Sequence, residues 1–456
     1  MRDSLREMVF RYAVAAAVLL LVFCWSAANV IAADDYDPHS LESLSDENEP
    51  QFEHGLPPQE LCDLIKSGET EKALPDGSVL MLAIDRDLQA EVFNLFRRYD
   101  PPYGAFVAIE PSTGRVVAVV GYRQGGKSDP WLALKAIYPA ASLIKVITAA
   151  AAVELGNVSP NDEIKYRGGI YKINRSGIRS DAGGSSMTLE EAIARSANSV
   201  FGKVTVRDVG APALGVYLEK FGFGMPIPFD MPVETSRAEV PRDEYELART
   251  GAGFGEVYAS PLHMAMMMSA LASDGPMPRP FLVDRIVDGN GNIEYESAPS
   301  KFKDTVHPET AQAVVRMMVK TIEMGTSRRA FGTPDRTPLL QDMEVAGKTG
   351  SLSGWKPPLR FEWFAGLAPV DSPKLALAAL VANDDRGKIK GSYVGKEAFS
   401  FYFGYPSSEP PSYSAKSKRK GVRNINKVSN KKIVKSGAVK KTHLRKDSVR
   451  VSFPER

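Results

Sequence analysis

The stretch Tyr138–Gly156, YPAASLIKVITAAAAVELG, places one hydroxyl and one amine at the start of an apolar, alanine-rich segment. Its composition predicts a buried helix that begins near Ser142. Residues three apart share a helix face, so the side chains of Ser142 and Lys145 can touch. A serine beside an uncharged amine is a candidate activated nucleophile. An alternative interpretation is that Ser142 caps the helix while Lys145 extends along it into solvent.

The pattern Ser-x-x-Lys recurs elsewhere in the chain, beginning at Ser300, Ser353, Ser417 and Ser429. These four matches lie in segments rich in Gly, Pro or charge, which do not open an apolar helix. Only the match at Ser142 therefore has a setting suited to a nucleophile.

A second motif, Ser196-Ala197-Asn198, lies within MTLEEAIARSANSVFGKV, where Thr188 and Glu191 have the spacing of a capping box. The sequence thus predicts a helix that begins after Thr188 and ends near Ser196. This motif is weak when taken alone, because short Ser-x-Asn matches are common. Its place after the Ser142 helix gives it weight.

A third motif, Lys348-Thr349-Gly350, is followed by Ser351 in a short β-rich run. Two similar apolar runs follow it, FEWFAGLAPV and KLALAALVAND, and predict a meander of antiparallel strands. Near the other end, GAFVAIEPSTGRVVAVVGY predicts a β-hairpin. The pattern indicates an α+β domain whose central antiparallel sheet is built from both ends of the chain, with helices between them.

The N-terminal residues 1–33 combine three early arginines with an apolar run from Ala13 to Ala33, and acidic residues follow. This charge distribution predicts a membrane segment with its N-terminus in the cytoplasm. We favour a single-pass anchor of about 20 residues over a cleaved signal peptide. Either interpretation places the rest of the chain outside the cytoplasm.

The remaining organisation follows from composition. Residues 34–78 are polar and acidic and predict a short stalk, and residues 79–405 carry the patterns of a folded domain. Residues 406–456 predict a basic, disordered tail. From Ser412 onward fifteen Lys or Arg face only Asp447 and Glu455, so residues 1–411 carry a net charge of −11. Because the tail is expected outside the cytoplasm, nucleic acid is not its expected partner.

The small number and the spacing of the histidines and cysteines argue against several kinds of catalytic and metal site. Five histidines are scattered without ligand spacing, and the two cysteines, Cys24 and Cys62, leave no internal disulfide for the exported part. A zinc site and a Ser-His-Asp triad therefore lack their residues, and the sequence predicts no metal and no cofactor. If Ser142 is a nucleophile, its base is not histidine.

The three motifs in this order resemble the transpeptidase domain of penicillin-binding proteins, a family of serine acyl-transferases related to serine β-lactamases. The resemblance covers residues 79–405 and includes the stretches LAIDRDLQ, VAIEPSTGRVVAVVG, LEKFGFG and GAGFGEVYASPLHMA. It implies a central antiparallel sheet flanked by helices, with an all-helical subdomain. It also implies a D,D-transpeptidase that cross-links peptidoglycan stem peptides through an acyl-enzyme and is inhibited by β-lactams.

The resemblance also implies roles for the first two motifs. Ser142 would attack the carbonyl between the last two D-alanines of a stem peptide. Lys145 would take the hydroxyl proton, which requires a pKa lowered by burial or by the charge of Lys348. Ser196 would pass a proton to the departing amine, and Asn198 would hold Lys145 and the substrate amide.

The third motif would bind the substrate. Lys348 and the Thr349 hydroxyl would hold the terminal carboxylate, with Gly350 completing the motif. The backbone N–H groups of Ser142 and Ser351 would form the oxyanion hole. The family usually has Thr where Ser351 stands, which leaves the affinity for β-lactams open.

Other functions remain alternatives at this point. A hydrolase of the same fold, either a D,D-carboxypeptidase or a β-lactamase, would use water as acceptor. A β-lactam sensor or an inactive scaffold fits less well, because the motif residues are intact and only one membrane segment is predicted. Residues before 79 offer no room for a glycosyltransferase, so we expect a separate one to supply glycan. The expected location is the bacterial cytoplasmic membrane, with the catalytic domain in the periplasm.

Overall fold

The computed structural model describes residues 56–182, 184–332, 340, 342–354, 358–385 and 387–408, all within one compact unit, Phe52–Phe453. The predicted membrane segment 1–33 and nearly all of the predicted tail 406–456 lie outside the described residues. Within the described ranges, none of the helices has both the length and the apolar character needed to cross a bilayer.

The helices of the described ranges are, in chain order, α1 Pro58–Ser67, α2 Arg86–Tyr99, α3 Ile144–Glu154, α4 Leu189–Arg195, α5 Asn198–Val204, α6 Gly210–Lys220, α7 Glu244–Gly251, α8 Pro261–Ala272, α9 Pro308–Glu323, α10 Arg328–Phe331 and α11 Gly391–Tyr402. Short 3-10 turns lie at Pro130–Ala133, Ala141–Leu143 and Arg175–Gly177, and a π-helical turn lies at Thr205–Val209.

The strands are β1 Glu71–Ala73, β2 Val79–Leu82, β3 Tyr103–Ile109, β4 Val116–Arg123, β5 Lys127–Ser128, β6 Tyr138–Pro139, β7 Glu163–Tyr166, β8 Ser185–Thr188, β9 Arg237–Ala238, β10 Val257–Ala259, β11 Pro276–Pro278, β12 Val283–Val287, β13 Ile293–Glu296, β14 Lys301–Asp304, β15 Ala346–Ser353, β16 Arg360–Ala368 and β17 Leu375–Asn383.

The central sheet has the strand order β15-β16-β17-β3-β4-β5, and its neighbours pair antiparallel. The predicted hairpin forms β3 and β4, and the predicted meander forms β15 to β17. The two parts join where β17 pairs with β3, in a register that places Ala378 opposite Val107. The predicted α+β fold, with its sheet built from both ends of the chain, is confirmed.

Alternate residues of the sheet enter two separate apolar cores, as the period of two in a strand requires. On one face Val107 and Ala378 pack in a core that includes α3 and α8. On the other face Phe106 and Leu377 pack with residues of α2 and α11. The sheet is therefore covered by helices on both faces, and the four methionines of α8 are fully buried in the core.

Helix starts follow local side-chain chemistry. Asp85 accepts hydrogen bonds from the backbone N–H groups of Asp87 and Leu88 at the start of α2. Thr188 accepts one from the N–H of Glu191 at the start of α4, which confirms the predicted cap. These bonds satisfy donors that the first helical turn leaves without partners.

The packed region begins before Val79, where the sequence analysis places its start. In α1, Leu61 and Cys62 are fully buried in the main core. Strand β1 pairs with β2 at the edge of a second sheet, ordered β1-β2-β12-β13. Residues from Leu56 onward thus belong to the fold and not to the stalk predicted for 34–78, because the apolar face of α1 packs inward.

Candidate active site

Ser142 lies in the 3-10 turn Ala141–Leu143, which runs directly into α3. The residue before it, Ala141, has a φ of 50°, a left-handed conformation that is uncommon for a residue with a Cβ. The turn leaves Ser142 half-buried, while the residues on both sides of it are buried. The nucleophile candidate therefore sits on a tight corner at the start of a buried helix.

Lys145 is completely buried, and its amine meets three oxygens. Lys145 Nζ is 2.7 Å from Ser142 Oγ. It also donates to Asn198 Oδ1 at 2.8 Å and to the backbone carbonyl of Ala252 at 2.6 Å. The alternative in which Ser142 only caps a helix and Lys145 extends into solvent is therefore wrong.

The surroundings of Lys145 favour its neutral form. Burial, followed by the positive charge of Lys348, lowers the pKa of Lys145 well below its ordinary value of 10.5. A neutral amine has two N–H donors and one lone pair. The carbonyl oxygens of Asn198 and Ala252 accept from the two donors, which leaves the lone pair for the hydroxyl proton of Ser142. Lys145 is thus placed to act as the base.

The second motif lies where α4 ends and α5 begins. Ser196 ends α4 in a left-handed conformation with a φ of 54°, and its N–H bonds back to Ala192 and Ile193. Asn198, almost fully buried, is the first residue of α5. Its amide is fixed at both ends, because Oδ1 accepts from Lys145 and Nδ2 donates to the Tyr171 carbonyl at 3.0 Å.

Lys348, in the third motif, contacts Ser196, in the second motif. It is fully buried, and its Nζ donates to Ser196 Oγ at 3.0 Å and to the Thr349 carbonyl at 2.9 Å. Burial lowers the pKa of Lys348 to about 7, so a large fraction of this group still carries a charge near neutral pH. A buried cation beside a hydroxyl is suited to bind an anionic substrate group.

Two glycines allow neighbouring backbone segments to approach residues 140–142, the tight turn that carries Ser142, which we call the Ser142 corner. A Cβ on Gly350 would lie 3.3 Å from both the Ala140 carbonyl and Ser142 N, so β15 runs against the corner. Gly253 has a φ of 92°, and a Cβ there would overlap the Ala141 carbonyl and lie 2.8 Å from Ser142 N. Ser351, next along β15, is exposed.

Thr349 has a hydroxyl partner that the sequence analysis did not identify. Its Oγ1 is 2.6 Å from Oγ1 of Thr326, in the turn after α9. The turn is fixed beside α4, since the Thr326 N–H donates to the Ala194 carbonyl at 3.1 Å. Thr326 is exposed and Thr349 is half-buried, and one of their two hydroxyl protons lies in the hydrogen bond between them.

The structure thus brings the predicted residues together as two hydrogen-bonded groups, Ser142–Lys145–Asn198 and Ser196–Lys348, and the charge of Lys348 acts on Lys145. Thr349, Gly350 and Ser351 follow Lys348 on β15. Sequence reasoning missed Thr326 and the carbonyls of Ala252 and Tyr171. Ala252 lies in the quoted stretch GAGFGEVYASPLHMA, which signalled the family but no role. The Tyr171 carbonyl gave no signal, because any residue can supply a backbone carbonyl. Thr326 gave none either, because a threonine outside a motif does not reveal which residue it will meet in the fold.

The arrangement can perform acyl transfer. It supplies a serine nucleophile, a neutral amine within proton-transfer distance, and a buried cation next to a second hydroxyl. The described part of the chain contains no group of three or more His, Cys, Asp or Glu side chains able to hold a metal ion.

Comparison with known proteins agrees with this chemistry. Residues 104–400 match the family model described as the penicillin-binding protein transpeptidase domain. The peptidoglycan D,D-transpeptidase PbpA of Mycolicibacterium smegmatis is 25% identical over 317 residues, which cover 62% of each chain. The peptidoglycan D,D-transpeptidase MrdA of Haemophilus influenzae is 26% identical, over 72% of this chain and 56% of its own length. The chain thus spans about three fifths of the length of such curated relatives.

Solved structures show the same fold. The D,D-transpeptidase domain of a peptidoglycan glycosyltransferase from Eggerthella lenta has a TM-score of 0.60 at 24% identity, covering 71% of this chain and 82% of that chain. The imipenem acyl-enzyme complex of penicillin-binding protein A from M. tuberculosis has a TM-score of 0.59 at 24% identity, covering 76% and 83%.

Proposed function

Because the chain belongs to the penicillin-binding protein transpeptidase family, we propose that it is a D,D-transpeptidase that cross-links peptidoglycan stem peptides. The reaction proceeds through an acyl-enzyme on Ser142, which β-lactams also form and thereby block. The observation that carries the proposal is the 2.7 Å contact between Ser142 Oγ and the buried amine of Lys145. This amine has both of its remaining donors occupied by carbonyls.

The first half-reaction forms an ester. Lys145 accepts the hydroxyl proton as Ser142 Oγ bonds to the carbonyl carbon of the penultimate D-alanine. The C–N bond to the last D-alanine then breaks. The proton held by Lys145 passes to the leaving amine through Ser196, whose hydroxyl contacts Lys348. D-Alanine departs, and the acyl group remains on Ser142.

The second half-reaction forms the cross-link. The free amine of another stem peptide attacks the ester carbonyl and gives a proton to Lys145 as the new amide bond forms. The ester bond to Ser142 Oγ then breaks, and Lys145 returns the proton to this oxygen. Lys348 and the Thr349 hydroxyl bind the terminal carboxylate of the donor strand before reaction. The buried charge of Lys348 has the sign that this carboxylate requires.

The surroundings of the enzyme are also part of the proposal. Residues 1–33 anchor the chain in the cytoplasmic membrane, and the catalytic domain works in the periplasm or extracytoplasmic space. A separate glycosyltransferase supplies the glycan strands. The basic tail after residue 405 lies on the same side of the membrane.

The test is product analysis with polymerised, lipid-linked peptidoglycan. The full chain should release D-alanine and give cross-linked dimers after muramidase digestion, identified by mass. Ser142→Ala should abolish both products and also the covalent labelling by fluorescent penicillin. The substitution should change the free energy of unfolding by no more than about 1 kcal/mol, because it removes only a hydroxyl at a helix start.

The products also separate the alternatives. Trimmed tetrapeptides and free D-alanine without dimers, across several substrates and glycosyltransferases, would replace the proposal with a D,D-carboxypeptidase. Rapid hydrolysis of the penicillin adduct would indicate a β-lactamase. Undiminished labelling of Ser142→Ala would remove Ser142 from the nucleophile role.

A further inference from the structure

A second buried lysine on α5 lies outside the reacting cluster. Lys203 has no exposed surface, and its ammonium meets three oxygens. It donates to the backbone carbonyls of Lys165 and Ser180, both at 2.9 Å, and to the Asp181 carboxylate at 2.5 Å. All three N–H donors of the ammonium are therefore satisfied, which a buried cation requires.

These three oxygens belong to the two ends of one long connection. Strands β7 and β8 pair as a hairpin, with Tyr166 opposite Ser185, and residues 167–184 join them. We call residues 167–184 the hairpin loop, of which Gly183 lies outside the described residues. Lys165 lies just before this loop, and Ser180 and Asp181 lie near its end. Lys203 thus bridges the neck of the hairpin loop.

The early part of the same loop, at Ile170 and Tyr171, rests on the first turn of α5. The Ile170 carbonyl accepts from the backbone N–H of Ser199 at 3.0 Å and from its hydroxyl at 3.3 Å. The next carbonyl, that of Tyr171, accepts from Asn198 Nδ2 at 3.0 Å. The loop also packs along the helix, because a Cβ on Gly202 would lie 3.3 Å from Ile173. Both the neck and the early part of the loop are therefore fixed to α5.

The bond to Tyr171 decides how Asn198 faces the base. An amide side chain has a donor end and an acceptor end. With Nδ2 held by the Tyr171 carbonyl, Oδ1 points to Lys145 Nζ, 2.8 Å away. If the Tyr171 carbonyl moved, Asn198 could rotate and the lone pair of Lys145 would lose its fixed direction. A small displacement of a reacting group can lower a rate by about a hundredfold.

We propose that Lys203 is a positioning residue for acyl transfer: by fastening the neck of the hairpin loop it holds the Tyr171 carbonyl, and through Asn198 the base Lys145, in the reactive arrangement. This inference rests on the proposed function, since acyl transfer by Ser142 is its most direct readout. Lys203 lies five residues after Asn198 and is not part of any of the three motifs.

The hairpin loop supplies its own control. Arg179 pairs with Glu244 of α7 in a bidentate ion pair whose side chains are more than half exposed. This contact ties the loop to a different helix and touches neither Lys203 nor Asn198. Exposed ion pairs contribute little to stability. Arg179→Gln therefore removes an ion pair of the hairpin loop but leaves the three contacts of Lys203 in place.

The experiment measures the second-order rate constant for acylation of the full chain by fluorescent penicillin. Lys203→Met should lower it by about tenfold or more. Asp181→Ala, at a side chain that is 60% exposed, should lower it in the same direction and serves as the second variant in case Lys203→Met does not fold. Arg179→Gln should change it less than about twofold.

A double-mutant cycle separates positioning from general damage. In an Asn198→Ala background the Tyr171 contact is already lost, so Lys203→Met and Asp181→Ala should each change acylation by less than about twofold. If the losses multiply in that background, or if both single variants acylate at the wild-type rate, the proposal is wrong.

Hydrogen exchange gives a readout that needs no reaction. Lys203→Met and Asp181→Ala should increase exchange at the Ser199 amide, which donates to the Ile170 carbonyl, and Arg179→Gln should not. If the wild-type chain is not acylated at all, the proposed function fails. Unchanged exchange at Ser199 in both variants would then overturn the positioning role of Lys203 as well.

Discussion

Lys145 and Lys348 are two fully buried amines, each in contact with a different serine hydroxyl, and the charge of Lys348 helps to lower the pKa of Lys145. The two groups have opposite requirements in the proposed reaction. Lys145 must be neutral to accept a proton, whereas Lys348 must be charged to bind a carboxylate. Burial moves both pKa values downward, so the order in which they lose their protons sets the active range.

The first prediction concerns pH. The value of kcat/KM should rise as Lys145 loses its proton and should fall as pH rises through about 7, where Lys348 loses its charge. Lys348→Arg should move the alkaline limb to higher pH, because a guanidinium stays protonated. A donor peptide with a methylated terminal carboxylate should lose the alkaline limb in the wild-type chain. If the wild-type chain, Lys348→Arg and the methylated donor all give the same alkaline limb, Lys348 is not the group that binds the carboxylate.

A second prediction concerns stability. The folded pKa of Lys348, about 7, lies below its ordinary value of 10.5, so the unfolded chain binds more protons between these values. Wild-type stability should therefore rise as pH increases from about 7 to about 10.5. Lys348→Met should remove that rise and increase the free energy of unfolding at pH 7 by roughly 1–4 kcal/mol, at about 1.4 kcal/mol per unit of pKa.

Denaturant unfolding at several pH values measures this effect. Lys127→Met, at an exposed position of β5, is the matched control and should change stability by less than about 0.5 kcal/mol. A Lys348→Met chain that is less stable than wild type at pH 7 would show that the amine contributes to the fold as well as to the site.

A third prediction concerns Thr326. Its hydroxyl pairs with that of Thr349 at 2.6 Å. Because only one of the two hydroxyl protons is used in this bond, we expect the other to be free to bind the substrate carboxylate. Thr326→Val should raise KM for carboxylate-bearing donors by about fivefold and leave kcat nearly unchanged, since one neutral hydrogen bond contributes about 1 kcal/mol. Thr326→Ser keeps the hydroxyl and should behave like wild type. Equal KM values for the Val and Ser variants would exclude this role.

A fourth prediction concerns Gly253, which lies against the peptide that joins Ala141 and Ser142. Gly253→Ala should lower the penicillin acylation rate by at least about a hundredfold, because the Cβ displaces the Ser142 corner. Gly156→Ala is the matched control: its φ of 70° imposes the same backbone strain, but no atom lies within 4 Å of the new Cβ. It should cost about 1–2 kcal/mol of stability and leave acylation unchanged. Similar acylation rates for the two variants would contradict the argument.

Local chemistry made much of this molecule predictable. Ser142 and Lys145 meet because they are three residues apart on a helical turn, and the cap at Thr188 follows from its spacing to Glu191. The sheet could be foreseen because its strands are short, apolar and separated by turn residues. In each case the interaction depends on residue types within a few positions of one another.

The parts that could not be predicted depend on long-range packing of groups without a residue signature. The carbonyls of Ala252 and Tyr171 complete the Lys145 environment, yet any residue could supply them. Lys203 gave no sequence signal either, since its burial becomes visible only with the hairpin loop in place. The early start of the fold at Leu56 was hidden by the polar residues that surround the buried face of α1.

The position of β17 between β16 and β3 has a consequence for the synthesis of the protein. Strand β3 leaves the ribosome long before β17, its partner at the centre of the sheet, so a growing chain carries β3 with one edge open. Open strand edges are prone to pair with other chains. Lys348 and the Ser142 corner also meet only after β15 has been translated. A nascent chain that ends before β17 therefore lacks the strand that joins β15 and β16 to β3 and β4, and the open edge of β3 exposes it to aggregation until β17 is made.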